Sequence, residues 1–182
     1  MNDSSPADPS PRTIRHYWED FEVGRVREFG RVEVTREAVL DFAARFDPQP
    51  FHLDDAAAAR SLFGRLAASG WHTAAMAMRM MCDGYLLESA SLGSPGVEKL
   101  VWPAPVFPGD VLTMRSTVLE SRPSASRPEI GLVRNRSEVL NQHGLAGDRR
   151  LAELHHEAGR EVFPVEALGV GERVHGGSES VR

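Results

Sequence analysis

WHTAAMAMRMMCDGYLLESAS, Trp71 to Ser91, is the longest helical signal in the chain. Between Trp71 and Cys82 its only full-time charge is Arg79. A helix that is apolar around most of its girth is buried on several sides. This segment is therefore expected to be the centre of the fold, with the rest of the chain arranged around it.

On the N-terminal side, Ser69-Gly70 and Gly64 mark breaks, and the alanine-rich stretch Asp55 to Phe63 reads as a short helix. Before it lies Asp47-Pro48-Gln49-Pro50-Phe51-His52-Leu53-Asp54, a loop that two prolines should hold away from both helix and ladder. Val39, Phe42, Ala43 and Phe46 have helical spacing, with Thr35 placed as N-cap and Glu37 favourable to the macrodipole. Pro48 disfavours helical geometry at Asp47, so this helix should stop near Phe46. Arg25 to Val34 alternates as a strand, with Gly30 as a bulge position. The aromatic segment His16-Tyr17-Trp18 should pin the start of the ordered body.

On the C-terminal side, Gly93 to Gly96 end the helical signal and strands follow. Glu98 to Phe107 is broken by two prolines, which suits an edge or a bulge. Pro108-Gly109-Asp110 is a turn, Val111 to Glu120 and Ile130 to Leu140 are strands, and Asn141-Gln142-His143-Gly144 is a second turn. The character then shifts. Asp148 to Ala158 reads as a short amphipathic helix and Glu161 to Leu168 as a strand weakened by Pro164. The organisation is thus a disordered leader (1–15), one α+β body (16–144) and an atypical tail (145–182).

The bulk numbers exclude several classes. The chain has 182 residues, enough for one domain with one sizeable core, and ordinary contents of 41% hydrophobic and 26% charged residues. A net charge of −5, with no basic stripe, argues against a nucleic-acid surface. One cysteine, Cys82, rules out an internal disulfide and suits a reducing compartment. The polar stretch Met1 to Arg12 has no apolar core for a secretory signal, and no run reaches a membrane-spanning length. A cytoplasmic protein with no membrane partner is expected.

Asp47 and His52 stand five residues apart in the proline-rich loop just before the long helix. If the loop folds back, a carboxylate and an imidazole at that spacing reach one water between them. One group then takes the water proton while the other supplies a proton to the substrate. Ser69-Gly70-Trp71 opens the helix and offers backbone N–H groups without intrahelical partners, donors suited to a developing oxyanion. Spacing alone is weak support, since such a pair in a loop is more often a surface feature or a turn cap.

The string FDPQPFHLD (Phe46 to Asp54) resembles the signature of MaoC-type (R)-specific enoyl-CoA hydratases and dehydratases. YWEDFEVG (Tyr17 to Gly24), ASGWHT (Ala68 to Thr73), PVFPGD (Pro105 to Asp110) and the NQHG turn (Asn141 to Gly144) agree with it in the same order. The resemblance implies a hot-dog fold, an antiparallel sheet wrapped around a long central helix, usually dimeric. It implies reversible syn hydration of a trans-2-enoyl thioester to the (R)-3-hydroxyacyl product. Asp47 and His52 map onto the catalytic pair, and Gly70 onto the position whose N–H faces the thioester oxygen, with Ser69, Trp71 and Gln49 beside them. Which of Asp47 and His52 is the base stays open, because both touch one water and titrate together. Gln49 stands where well-studied hydratases have Asn. No metal or redox cofactor is implied; CoA, or an acyl carrier, arrives as part of the substrate. The tail departs from the pattern, because Leu145 to Leu151 (LAGDRRL) does not alternate where the family has its final strand.

Other residues have quieter readings. Asp54 caps the next helix, His72 packs within the long one, and Met76, Met78, Met80 and Met81 fill the core. Cys82 is a small hydrophobe, Arg79 and Asp83 are a solvated i, i+4 pair, Gly109 and Gly131 are backbone devices, and His155-His156 is too isolated for a metal. Two rival functions remain. A hot-dog thioesterase would need Asp83 or Glu88 as its carboxylate. A non-catalytic acyl-CoA-binding subunit would act only alongside another hot-dog chain.

Overall fold

The computed structural model describes residues 13–144, 150–155 and 161–164. Strand β1 (Val26–Glu33) leads into helix α1 (Arg36–Phe46), two short helices α2 (Pro50–Leu53) and α3 (Asp55–Ala59), and the long helix α4 (Gly70–Gly84). Strands β2 (Lys99–Val101), β3 (Val111–Pro123), β4 (Ile130–Leu140), β5 (Arg150–His155) and β6 (Glu161–Pro164) follow. All neighbours are antiparallel, in the order β1-β3-β4-β5-β2, with β6 also on β4.

The sheet wraps α4 as the central-helix reading requires. Leu112, Met114 and Val118 of β3 and Val133 and Val139 of β4 are buried, as are Met76, Ala77, Met80 and Met81 of α4. Each fully buried side chain of this size contributes about 1.5–3 kcal/mol. Met78 is the exception among the four methionines: it is 48% exposed, on the side of α4 away from the sheet. Gly30, at φ +79°, sits at the register shift of β1, and a Cβ there would strike the Met80 side chain, so the bulge also lets strand and helix approach closely.

Three expectations are corrected. The long helix ends at Gly84, seven residues before Ser91. Gly84 lies under the Phe29 ring, where any Cβ would collide. Tyr85 then leaves helical geometry to bury itself between Phe21 and Phe29, at ring separations of 5.8 and 5.7 Å. Second, the proline-rich loop contains a helical turn: Pro50 occupies the first turn of α2, where its missing N–H leaves no helical bond unmade. Third, Asp148 to Ala158 is not helical over its described part. Arg150–His155 is β5, inserted between β4 and β2, and β6 continues along the same edge of β4. An unpaired edge on β4 would leave its backbone groups without partners, and that demand outweighs a weak helical pattern. Ala152 of β5 is fully buried. Pro164 falls at the very end of β6, where a missing donor matters least. Residues 165–168 lie outside the described residues, as do residues 1–12 of the leader and the side chains of His155 and His156.

Elsewhere the local signals hold, except that the helix expected over Asp55 to Phe63 stops at Ala59. Thr35 accepts from the Ala38 N–H as N-cap, Asp54 does the same for Ala57, and α1 stops at Phe46. Of Glu98 to Phe107 only Lys99–Val101 is strand. The two turns singled out in the sequence are tied together. Asp110 accepts from the Phe107 N–H and from the Asn141 side chain, while Gln142 accepts from the Val111 N–H.

Candidate active site

The end of α1, the α2 turn and the start of α4 meet at one place. Asp47 closes α1 with its N–H on the Ala43 carbonyl. The chain then bends tightly, with the Gln49 N–H on the Asp47 carbonyl at 2.7 Å and the His52 N–H on the Gln49 carbonyl at 2.9 Å. That bend returns His52 to Asp47, placing Nε2 3.5 Å from Oδ2. His52 is 5% exposed and ringed by Phe51 and Phe63.

The hydrogen bonds define the state of each group. His52 Nδ1 lies 2.7 Å from the Ala67 carbonyl oxygen, which can only accept, so Nδ1 carries the hydrogen. In the neutral ring Nε2 is then a bare lone pair facing Asp47. Asp47 is held at both oxygens: Gln49 Nε2 donates to Oδ1 at 2.7 Å and Ser69 Oγ donates to Oδ2 at 2.6 Å. Burial alone would raise the Asp47 pKa, but the bonds from Ser69 and Gln49 and the nearby His52 outweigh it and hold the carboxyl below its usual range. Asp47 is therefore an oriented carboxylate at neutral pH.

Ser69 is the N-cap of α4 and also accepts from the Trp71 N–H at 3.2 Å. This separates the two proposed oxyanion donors. The Trp71 N–H is occupied by Ser69, whereas the Gly70 N–H has no acceptor among the described residues. Trp102, which the sequence reading did not select, braces Gly70. Its Nε1 donates to the Gly70 carbonyl at 2.9 Å, and its ring lies so close that a Cβ on Gly70 would sit 2.6 Å away. The Ala67 carbonyl is the other unselected element. Neither carries a sequence signal, because both act through contacts fifteen or more residues distant.

The rival carboxylates lie elsewhere. Asp83 pairs with exposed Arg79 at 2.7 Å, fourteen residues along α4 from Ser69, or about 20 Å at helical rise. Glu88 pairs with Arg15 beyond the helix end. Among the described residues there is no cluster of three His, Cys, Asp or Glu side chains suited to a metal, and no helix is long and apolar enough to cross a membrane.

Comparison with known proteins agrees with this architecture. The family model of the MaoC like domain matches residues 20–139. The crystal structure of the MaoC-like dehydratase from Rhodospirillum rubrum is 39% identical, with a TM-score of 0.74, covering 85% of this chain and all of that one. The (R)-hydratase PhaJ1 from Pseudomonas aeruginosa is 26% identical, with a TM-score of 0.60, over 88% of this chain and 96% of its own. A 3-hydroxybutyryl-CoA dehydratase of Methylorubrum extorquens is 31% identical over 119 residues, 63% of this chain and 71% of that protein. With the family model spanning most of its length and a hot-dog sheet wrapped around its central helix, the chain belongs to the MaoC-like dehydratase family.

Proposed function

We propose that this protein is a hydro-lyase that adds water reversibly to a trans-2-enoyl thioester of CoA or an acyl carrier, giving the (R)-3-hydroxyacyl thioester. The observation that carries the reading is the pairing of Asp47 Oδ2 with His52 Nε2 at 3.5 Å, each oriented by its own hydrogen bonds. A water between them donates one hydrogen to each. As its oxygen bonds to C3 of the substrate, one proton passes to a member of the pair. The C2=C3 electrons move toward the thioester carbonyl, and the Gly70 N–H receives the developing oxyanion. The C2 carbon then collapses onto a proton held by the pair. Because both groups share one face, water and proton enter syn. The reverse sequence is dehydration, and the pair needs no metal or redox group for these steps.

The thioesterase reading is disfavoured by the positions of Asp83 and Glu88. A homodimer is the expected state: β2 forms an edge of the sheet beside half-exposed Trp102, available to a second hot-dog chain. The test is the ultraviolet absorbance of crotonyl-CoA. Wild type should bleach the conjugated enoyl band without releasing free thiol. Asp47→Asn and His52→Ala should each lose about two or more orders of magnitude in kcat. Thiol release, or full activity in either variant, would sink the proposal.

A further inference from the structure

The buried face of the sheet is apolar except at one place. Leu112, Met114 and Val118 of β3 and Val133 and Val139 of β4 face α4, but among them stand Ser116, Asn135 and Ser137, all buried. The strand register sets these side by side. Ser116 is the Cα partner of Ser137 and, on its other side, of Arg27 in β1, while Asn135 is the partner of Val118. The two serine hydroxyls answer each other at 3.5 Å. The Asn135 side chain, at 3% exposure, has no hydrogen-bond partner among the described residues. A buried amide left unpaired gives up its hydration for nothing in return, a loss that Val or Leu would not incur.

Asn135 and Ser116 line a small cavity together with Arg27, Phe21, Phe29 and Tyr85. The cavity is not sealed, because β1 is an edge strand and Arg27 is partly exposed. The Arg27 guanidinium lies 5.1 Å from the Phe21 ring centroid and has no ion pair or hydrogen bond among the described residues. Nearby carboxylates are engaged elsewhere: Asp20 accepts from the Tyr17 N–H, Glu28 pairs with Arg115, and Glu88 with Arg15. Burial, and then Arg25, lower the Arg27 pKa from its ordinary value, and Asp20 offsets only part of this. The guanidinium stays charged all the same. We propose that this cavity is a binding site for a small inorganic anion of chloride size, held between the Arg27 guanidinium and the Asn135 amide with the Ser116 hydroxyl beside them. The lining offers donors and a positive charge and no carboxylate, which selects an anion over a cation. The space admits about one water-sized occupant, which selects a monatomic ion over phosphate or an organic acid. Phe21, Phe29 and Tyr85 keep bulk water from the other sides and so strengthen the attraction. The site lies at the Tyr85 end of α4 and does not depend on the hydratase reading. Its ion ties β1 to β4 across β3.

Crystals of the full chain grown in sodium bromide test the assignment directly. An anomalous bromide peak is expected in the cavity, within hydrogen-bonding distance of Arg27 and Asn135, and should vanish in Arg27→Gln. A second measurement needs no crystal. Replacing gluconate, which is too large to enter, by chloride at constant ionic strength should raise Tm by about 2–4 °C more in wild type than in Arg27→Gln. Arg27→Lys keeps the charge and should retain part of that difference. Bromide crystals with only a water in the cavity, and no anomalous signal there, overturn the proposal. So does a chloride effect of equal size in wild type and folded Arg27→Gln, which would be the bulk action of the salt.

Discussion

The two ends of α4 are built from the same helix and do opposite things. At its start, Ser69, Gly70 and Trp71 leave polar groups pointing outward, and the neighbouring elements answer with Asp47, Gln49, His52 and Trp102. At its finish, Gly84 and Tyr85 close against Phe21 and Phe29 in edge-to-face contacts. The first end holds its side chains by directional bonds, the second by packing. A helix start has free N–H groups that can face a substrate, while the finish of this helix is closed by aromatic packing. Stability and chemistry are thereby separated along about 20 Å of one element.

That separation is open to direct challenge. Tyr85→Ala should empty the space between buried Phe21 and partly buried Phe29 and cost about 3–5 kcal/mol, the range for large aromatic truncations, lowering Tm by roughly 10 °C. The fraction that stays folded should keep its kcat. His52→Ala should cost some stability through the lost packing and the unpaired Ala67 carbonyl, but the molecules that stay folded should lose turnover by orders of magnitude. Thermal melts beside turnover assays would expose any mixing of the two ends.

Ser69→Ala tests how far the polar end depends on a single bond. Without the Ser69 hydroxyl, Asp47 loses one of the interactions that depress its pKa. Its pKa should rise, and the acid limb of the kcat/KM profile should move to higher pH. Because the folded-state pKa is depressed, the wild-type carboxylate stabilises the fold above the usual carboxylate range, and this contribution fades as pH falls through the lowered value. The variant should lose part of that contribution at neutral pH. A kcat/KM loss of about tenfold or more is expected from the freed carboxylate. A pH profile identical to wild type would show that Ser69 does not orient Asp47.

Gly70→Ala should have a smaller effect. The added methyl must displace the Trp102 ring from Gly70 but leaves the backbone N–H in place. A fall in kcat/KM of about tenfold, with a shift in tryptophan fluorescence, is expected. A fluorescence change without a kinetic one would mean that the brace does not matter to the reaction.

The sequence made the scaffold readable wherever a local rule acted alone. Thr35 and Asp54 cap because their side chains reach N–H groups three residues on, and Pro48 stops α1 through its effect on its neighbour. β3 and β4 alternate because only one face meets α4. Reading failed where distant chain overruled local pattern. β5 is a strand because β4 and β2 each offer it an edge, and α4 ends at Gly84 where Tyr85 leaves helical geometry and packs on Phe21 and Phe29. The site divides in the same way. Asp47 and His52 are five residues apart and lie in one motif. The groups that set their state, Ser69 and the Ala67 carbonyl, lie twenty-two and fifteen residues from their partners.

The smallest effect is expected at Asp83, near the packed end of α4. Its carboxylate accepts from Arg79 Nε at 2.7 Å, but Arg79 is 73% and Asp83 49% exposed at the side chain, so water competes for both groups. The Arg79 pKa is raised by this bond and charge, which shows contact and not structural weight. Asp83→Asn should therefore leave Tm within experimental scatter and turnover unchanged. The same variant separates the two chemistries, because a hot-dog thioesterase drawing on a carboxylate of this helix would lose its thiol-releasing activity. Unchanged hydration in Asp83→Asn, set against its collapse in Asp47→Asn, would locate the working carboxylate at the start of α4. Loss of activity in both would mean that the exposed end of the helix also reaches the substrate, and the division between its two ends would fail.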